Sequence, residues 1–225
     1  MTTNSNLKKL NRKDLMSVFW RSCHQDASWN YERQQNLAAG YTMCKVIKKL
    51  YADDEEARSR ALQRHLEFMA ITPHLSTLLY GILAAMEEEN ANNKDFDENS
   101  INAVRASLMG PLAGIGDTLR QGTLIPIIGS IAISIGQEGN LLGPIFYFFV
   151  TLALNFGISY TLYRKAYDKG RDFVGEFFSG GKMEKIMTMV TAMGSITIGA
   201  LAATTVKLTS TAEIALGDKI GRAHV

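Results

Sequence analysis

The sequence predicts an all-α membrane protein in which amphipathic N-terminal helices precede transmembrane and re-entrant helices. Two stretches carry this prediction: residues 121–163 contain no basic side chain and one acid, Glu138, and residues 186–206 contain no charge at all. A helix needs about 20 apolar residues to cross ~30 Å of hydrocarbon, so the first stretch suits two passes and the second one pass. In addition, 14 of the 24 Lys and Arg residues lie between Lys8 and Arg105, which separates a charged half from an apolar half.

This uneven composition divides the chain into three parts. We expect an amphipathic helical region over residues 1–105 and a membrane-embedded region over residues 106–219. The last six residues, Ile220–Val225, can be written in codons that match a common sequencing adapter. We therefore expect an artificial tail behind a membrane region that is truncated at its C-terminus.

Charge and cysteine content argue against several classes of protein. A net charge of +2 is too balanced for a nucleic-acid binder that neutralises phosphates. Cys23 and Cys44 show no disulfide or metal spacing, so reduced thiols are predicted, and residues 1–11 lack the apolar run of a cleavable signal. Because no nucleophile–base pair, metal cluster or phosphate loop is visible, we expect no cofactor, and a stand-alone enzyme is the least favoured class.

The first two helices are predicted from a cap and from helical spacing. Asn11 is a good N-cap with Asp14 three residues later, before apolar residues that recur on one face. The second helix covers Asn36–Tyr51, with an apolar side and three lysines on the rest of its surface. Such helices pack on each other, on the bilayer surface or on a partner, and the sequence alone does not choose among these.

The third helix is predicted to begin at Asp53, followed by Glu56, with aspartate in place of the serine of a capping box. We expect it to run to about Ile71, because Pro73 lacks an N–H and restricts Thr72. A fourth helix is indicated by an apolar stripe, which consists of Leu75, Leu78, Leu79, Ile82, Leu83 and Met86.

The long uncharged stretch contains two apolar segments around a polar turn. Gly122–Gly136 has 15 residues and contains Pro126, which favours a re-entrant segment if protein covers its backbone. The turn Gln137–Asn140 follows, and Leu141–Tyr163 then has the length of a full transmembrane helix. Basic residues follow at Arg164, Lys165, Lys169, Arg171, Lys182 and Lys185. The positive-inside rule therefore places that connection in the cytoplasm and the turn outside.

The densest cluster of unusual residues is Met109–Thr118, which holds three glycines and a proline within seven residues. Each of these residues weakens a helical backbone, so an ordinary helix interior is not expected. Small residues permit close helix contact or the approach of a ligand to the backbone. Asp117 lies at the edge of the uncharged stretch, where an ionisable residue marks a polar pathway and its carboxylate suits a hydroxyl-rich ligand. A loop aspartate that caps the next helix through Thr118 and Leu119 amides explains the pattern equally well.

Several motifs in a fixed order resemble the IID subunits of the mannose/fructose/sorbose phosphotransferase family. The first is Ser28–Gln34, with the sequence SWNYERQ. The further matches are Ile47–Tyr51, Arg64–Phe68, Ala85–Glu88, Leu108–Asp117, Gly122–Thr123, Pro126 and Leu141–Pro144. The resemblance runs from about residue 12 to beyond residue 200, and it is specific because independent motifs keep a consistent spacing.

The resemblance implies a non-catalytic membrane subunit for sugar uptake. Such subunits pair with a IIC membrane subunit in a trimer of IIC–IID heterodimers, with the sugar bound in the shared interior and lipid around it. Cytoplasmic IIA and IIB proteins carry phosphate on histidines, and IIB phosphorylates the sugar as it emerges from the bacterial inner membrane. IID chains carry no phosphohistidine, which fits the absence of an acid–base constellation around the histidines of this sequence.

The substrate-binding candidates are Asp117, Asn30, Glu32 and Arg120. Asn30 and Glu32 suit a sugar or interface contact and a buried polar network equally well, whereas Arg33 suits an internal salt bridge. Where relatives often have an apolar residue, Phe and Trp after the aspartate motif, this chain has Leu119–Gln121. Arg120 beside Asp117 raises two hypotheses, a redistribution of charge around the sugar path and the binding of an acidic sugar, so mannose itself does not follow from the resemblance.

The sequence leaves two other functions open. One is a secondary transporter driven by an ion, for which three apolar segments are few. The other is a membrane-bound interaction protein whose amphipathic half docks partners. Uptake that depends on phosphoenolpyruvate and on IIA and IIB proteins distinguishes the phosphotransferase function from both.

Overall fold

The computed structural model describes residues 7–137 and 139–170, several helical positions between 172 and 200, and two short strands. Its helices are α1 (Arg12–Ser22), α2 (Asn36–Leu50), α3 (Glu55–His65), α4 (Pro73–Asn92), α5 (Asn99–Leu119), α6 (Ile125–Gly136) and α7 (Leu142–Lys169). A π-helical turn, Arg120–Leu124, joins α5 to α6. The strands β1 (Glu213–Leu216) and β2 (Lys219–Arg222) form an antiparallel pair. The predicted all-α class is confirmed.

The predicted start of α1 is confirmed in detail. The Asn11 side chain accepts hydrogen bonds from the backbone N–H groups of Lys13 and Asp14, and the Asp14 carboxylate accepts one from the Asn11 N–H at 2.9 Å. This reciprocal arrangement is a capping box, which satisfies donors that the first helical turn leaves free. The second helix also agrees with its prediction to within one residue, since α2 ends at Leu50.

The boundary between α3 and α4 differs from the prediction. The cap of α3 is Asp54, whose carboxylate accepts from the Ala57 N–H at 2.8 Å, and the helix ends at His65 rather than near Ile71. The chain then extends, and Met69 pairs with Gln34 in a parallel bridge. Pro73 begins α4 as its first residue, because a first-turn N–H has no helical acceptor to lose.

The glycine-rich segment is helical, contrary to the expectation from its composition. α5 continues through Pro111 and Asp117, and the π-turn carries it into α6, so Asn99–Gly136 is one helical path of 38 residues. At 1.5 Å per residue this path is about 57 Å long. Gly122–Gly136 is therefore not a separate segment but the continuation of α5; its re-entrant placement in the bilayer stays a prediction.

α7 packs against both α4 and α1. It runs parallel to α4, as shown by the hydrogen bond from the Thr77 hydroxyl to the Ser159 carbonyl at 3.2 Å and by the close approach of Gly81 to the Tyr163 carbonyl. It runs antiparallel to α1, where the Tyr163 hydroxyl donates to the Leu15 carbonyl at 2.8 Å. The buried apolar core lies among α1 to α5 and the C-terminal half of α7.

The other half of α7 and the α5–α6 path present apolar side chains outward. Within the part of the chain that the structure describes, two helical paths are long and apolar enough to cross a membrane, Asn99–Gly136 and Leu142–Lys169. Within their most apolar windows only 17% and 11% of the residues are buried. A soluble core helix would be buried at these positions, so the exposed apolar surface is what a lipid-facing helix has.

The basic residues after Tyr163 are placed differently from the prediction. α7 continues to Lys169 and ends at Gly170, so Arg164, Lys165 and Lys169 lie on the helix rather than in a loop.

Other sequence predictions fall outside the described residues. Glu138, the other three basic residues of the predicted connection, most of residues 186–206 and residues 223–225 are not described. The three-part division of the chain stays a prediction.

Candidate functional site

Polar side chains collect where α4 begins, beside the π-turn. We call this group the polar cluster; it consists of Asp26, Gln35, Thr72, His74, Asp117 and Arg120. It unites residues from the loop before α2, the extended segment before α4, and the α5–π–α6 path. The cluster is therefore a product of the tertiary structure and not of one local motif.

Asp117 is held against the start of α4 by a glycine. A Cβ atom on Gly116 would lie 2.5 Å from the Thr72 Cβ, so only glycine allows α5 to approach this closely. The buried Thr72 hydroxyl lies 2.8 Å from an Asp117 carboxylate oxygen and 3.0 Å from the Ala113 carbonyl, and it can donate to either. The rest of the Asp117 carboxylate is exposed and free to accept from a ligand.

Arg120 is the first residue of the π-turn. Such turns are rare, and they shift the side chains that follow relative to a regular α-helix, often at functional sites. The Arg120 Nε is buried and has no hydrogen-bond partner within the described part of the chain. Burial of an unpaired guanidinium N–H is costly, so this donor is suited to binding a ligand.

His74 lies close enough to Arg120 to feel its charge. Burial first, and then the Arg120 charge, lower the pKa of His74 to about 4, while Asp26 opposes the shift. The imidazole is therefore neutral at physiological pH, and its Nε2 is buried without a partner within the described residues. A neutral imidazole has one donor and one acceptor, which suits a hydroxyl rather than a second charge.

The rest of the cluster is fixed by a chain of hydrogen bonds. The buried Tyr80 hydroxyl donates to the Gln25 side-chain oxygen at 2.7 Å, and Gln25 donates to Gln35 at 3.1 Å. Gln35 in turn donates to Asp26 at 2.8 Å and accepts from the Ile71 N–H at 3.0 Å. This chain anchors the loop before α2 to the core and holds Asp26 near His74.

A cleft of about 150 Å³ lies beside the cluster. His74, Asn155 and Ser159 supply its polar atoms, and aromatic rings from α1 and α7 supply apolar surface. Pockets that enclose a small ligand usually have about 300–1,000 Å³. Of the polar cluster, His74 lines this cleft, and the cleft by itself is too small to enclose a ligand of that size.

Of the predicted substrate-binding residues, two lie in the polar cluster and two do not. Asp117 and Arg120 lie in the polar cluster. Asn30 lies in a turn, where its amide donates to the Gln34 carbonyl at 3.1 Å and to Asn36 at 2.8 Å and its oxygen accepts from the Arg33 N–H. The hydrogen-bonding groups of Asn30 are thus occupied within the chain.

Glu32 lies at the surface. Its side chain is 83% exposed, and its carboxylate is 3.6 Å from the Arg33 Nε, which is itself half exposed. Arg33 thus forms a salt bridge within the chain with a nearby carboxylate, as expected, but both partners lie at the surface. The neighbouring Trp29 and Tyr31 are also exposed and stack edge to face at 5.0 Å between ring centroids.

Sequence reasoning missed Thr72, His74, Asp26 and Gln35. Pro73 suggests the end of a helix, although a proline after a threonine is equally a helix start. That alternative would have placed Thr72 and His74 at a helix N-terminus. No comparable signal marks Asp26 or Gln35, because their roles depend on contacts with distant segments.

A second polar group, which we call the buried network, lies among α2, α3, α4 and the start of α5. It consists of Tyr51, Arg64, His65, Glu87 and Glu98. The fully buried Glu87 carboxylate binds Arg64 Nε and His65 Nε2 at 2.9 Å and the Tyr51 hydroxyl at 2.7 Å. Burial favours the neutral acid, but these hydrogen bonds and the neighbouring positive charge outweigh it and lower the pKa of Glu87.

Comparison with known proteins gives consistent matches over nearly the whole chain. Residues 9–222 match the family model of the IID component of the PTS system mannose/fructose/sorbose family. The mannose-specific EIID component of Escherichia coli (strain K12) is 36% identical over 194 residues, which is 86% of this chain and 68% of that protein. The fructose permease IID component of Bacillus subtilis (strain 168) is 37% identical over 86% of this chain and 70% of that protein.

The fold also matches a solved structure. A chain in the cryoEM structure of the mannose transporter ManYZ in complex with microcin E492 superposes with a TM-score of 0.71 at 33% identity. The match covers 92% of this chain and 76% of that one. Sequence and fold therefore agree on the same group of membrane proteins.

Proposed function

This chain belongs to the IID components of the mannose/fructose/sorbose family of sugar phosphotransferase systems, and on that premise we propose that it forms a sugar-translocation channel with a IIC membrane subunit. In this proposal the chain is non-catalytic, and the sugar is phosphorylated by cytoplasmic IIA and IIB proteins as it leaves the channel. The complex is a trimer of IIC–IID heterodimers in the bacterial inner membrane.

The observation that carries the proposal is the incomplete polar cluster. Asp117 offers an exposed carboxylate, Arg120 a donor unpaired among the described residues and His74 a neutral imidazole, and the cleft that His74 lines is too small to enclose a sugar. Hydroxyl groups need both donors and acceptors, and this set provides both. A site completed by a partner fits a channel that two subunits share.

The glycines of α5 support a partner on its outer face. Gly110 and Gly114 lie one helical turn apart, and a Cβ added at either position would meet no atom within 4 Å, in contrast to the tightly packed Gly116. Small residues four apart allow the backbones of two membrane helices to approach closely. We assign this face to the IIC subunit.

The bilayer orientation follows from the distribution of charge. α7 carries Arg164, Lys165 and Lys169 near its C-terminal end, whereas its N-terminal end is uncharged. By the positive-inside rule, the C-terminal end of α7 is cytoplasmic in this proposal. The start of α1 lies at the same end, so Lys9 and Arg12 share one side of the membrane with the IIA and IIB proteins in this proposal.

Arg120 indicates which class of sugar the chain binds in this proposal. The relatives named above are specific for mannose and for fructose, and the chain is equally similar to both, so similarity does not select the sugar. The Arg120 Nε is unpaired among the described residues, and a guanidinium can bind a carboxylate, so Arg120 favours an acidic sugar. Arg120→Gln should reduce uptake of uronates more than uptake of neutral hexoses; unchanged uptake of every sugar would remove this hypothesis.

The function is tested by uptake in bacterial cells that lack their own IID gene. The chain is expressed with its IIC, IIA and IIB partners, and uptake of a panel of labelled sugars is measured with and without IIB. Accumulation of sugar phosphate that requires both this chain and IIB is the expected result. Uptake that persists without IIB and collapses with the ion gradient would favour a secondary transporter, and sugar binding without uptake would favour an interaction protein.

A further inference from the structure

A groove lies on the outer face of the α1–α7 pair, outside the polar cluster. On α1 the residues Arg12, Met16 and Trp20 follow one another at intervals of four, and on α7 the matching series is Arg164, Tyr160, Phe156 and Leu152. Intervals of four place residues on one face of a helix. Because the two helices are antiparallel, each stripe has its arginine at the same end of the groove.

The long part of the groove is apolar and open. It has a volume of about 720 Å³, and its lining is almost entirely carbon. Trp20 lies against Phe156, with ring centroids 5.8 Å apart, yet Trp20 is 55% exposed and Phe149 is 60% exposed. Gly157 opens the floor of the groove, since a Cβ there would meet no atom within 4 Å.

At the arginine end of the two stripes lies a separate polar pocket of about 450 Å³, which contains both arginines. Lys9, Arg12 and Arg164 supply three positive charges against the two carboxylates of Glu88 and Asp168.

Both carboxylates are already engaged. Glu88 accepts from the Leu10 N–H at 2.6 Å and from the Tyr167 hydroxyl at 2.7 Å, and Asp168 lies 3.9 Å from Arg164. Lys9 and Arg12 have no ion-pair partner among the described residues. The pocket therefore retains capacity for an anion.

We propose that this α1–α7 groove binds an anionic glycerophospholipid, with its phosphate headgroup in the pocket of Lys9, Arg12 and Arg164 and its acyl chains along the apolar stripes. The ligand must be amphiphilic, because the charges lie at one end and the carbon surface at the other. A free phosphate would leave the apolar groove empty, and a partner helix would not require three cations at its end. Basic pockets at the cytoplasmic end of membrane helices commonly bind such headgroups.

The test measures lipid binding to the full chain in an uncharged detergent. Fluorescent phosphatidylglycerol is titrated in parallel with the zwitterionic phosphatidylcholine, for the wild-type chain and for the double variant Arg12→Gln/Arg164→Gln. We expect the wild type to prefer phosphatidylglycerol, and the variant to bind it roughly 25-fold more weakly, about fivefold for each charge removed. The matched control Lys48→Gln/Lys94→Gln removes two exposed cations elsewhere and should not change binding.

A second variant tests the acyl-chain half without touching a charge. Gly157→Leu fills the groove, and it should not unfold α7 because the position is open and leucine favours helices more than glycine does. We expect it to weaken phosphatidylglycerol binding several-fold while circular dichroism stays unchanged. If the double arginine variant folds poorly, this variant decides alone.

Three results would overturn the proposal. One is equal binding of phosphatidylglycerol by the wild type and Gly157→Leu. Another is complete displacement of the lipid by inorganic phosphate, which would leave only a phosphate site. The third concerns Trp20→Cys, made together with Cys23→Ser and Cys44→Ser, in native membranes: protection from a lipid-soluble maleimide when the other subunits are present would show that protein, not lipid, covers the groove.

Discussion

The carboxylates of Glu87 and Asp117 differ in burial and in the number of groups that bind them. Glu87 in the buried network has no exposed surface and accepts from a guanidinium, an imidazole and a phenol. Asp117 in the polar cluster is exposed and, among the described residues, accepts one hydroxyl, that of Thr72. Both carboxylates follow a small or apolar residue in a helix, so local sequence does not separate them.

The difference indicates which group stabilises the fold and which is available to a ligand. A buried carboxylate with three donors has little capacity left, and its removal leaves Arg64 and His65 without their common partner. Among the described residues both groups contain unpaired nitrogen atoms, on Arg64 and His65 in the buried network and on Arg120 and His74 in the polar cluster, but those of the cluster lie beside an open carboxylate. Polar groups that a protein leaves unsatisfied at a cleft are candidates for function.

The largest expected effect is the loss of stability in Glu87→Gln. The substitution leaves Arg64 charged and buried with Glu98 as its remaining ion-pair partner, so we expect the free energy of unfolding to fall by about 3 kcal/mol. Thermal unfolding of the purified chain measures this. The control Glu55→Gln, at a side chain that is 92% exposed, should change it by less than about 0.5 kcal/mol. A similar small change for Glu87→Gln would refute a structural role for the network.

The next largest effect is on transport. The Asp117 variant should lose uptake but keep its stability, the opposite of what we expect for Glu87→Gln. Asp117→Asn keeps the shape of the side chain but removes its charge, so uptake should fall roughly 10- to 100-fold, the value of a hydrogen bond to a charged group. Its thermal unfolding should stay close to that of the wild type because the side chain is exposed. Asp95→Asn, an exposed change in the loop before α5, serves as the control. Normal uptake in Asp117→Asn would exclude the carboxylate from the sugar path.

A glycine pair on α5 tests how the cluster is held together. In Gly116→Ala the new methyl group would overlap Thr72, so we expect a loss of about 1–3 kcal/mol in stability and a displaced Thr72–Asp117 hydrogen bond. In Gly114→Ala the methyl group meets open space, so stability of the isolated chain should stay the same or rise by up to about 1 kcal/mol. Equal thermal unfolding of the two variants would contradict the close approach of α5 to α4.

The smallest effect concerns pH and His74. The folded chain holds the pKa of His74 at about 4, below the ordinary value of 6.5, so the unfolded chain binds more protons between these values. Stability should therefore fall as the pH drops from 6.5 to 4, by about 1 kcal/mol because the side chain is partly exposed. His74→Gln should remove that part of the acid loss. Parallel unfolding curves at pH 7 and pH 4.5 measure it, and an identical acid loss in both proteins would show that His74 is not perturbed.

Much of the fold follows from local sequence, and the failures are instructive. The box at Asn11 and Asp14 and the stripe of α4 were predictable because caps and apolar spacing act within a few residues. Pro111 and the neighbouring glycines argued against a continuous helix, and that prediction was wrong for α5. Tertiary packing overrides a local preference of a few kcal/mol or less. The close contact at Gly116 is one such interaction, and no local rule reports it.

The sequence by itself determined the all-α class, the separation of a charged half from an apolar half, and the family, because each depends on composition or on motifs read in order. Only the tertiary structure decided which polar residues meet. Thr72 and Asp117 are 45 positions apart and Arg64 and Glu87 are 23 apart, and these pairs form because helices pack in one register. It also decided that Asn30 is occupied within its own turn while Asp117 stays open. Burial and partner count, not residue type, distinguish a charge that stabilises the fold from one that is free to bind a ligand.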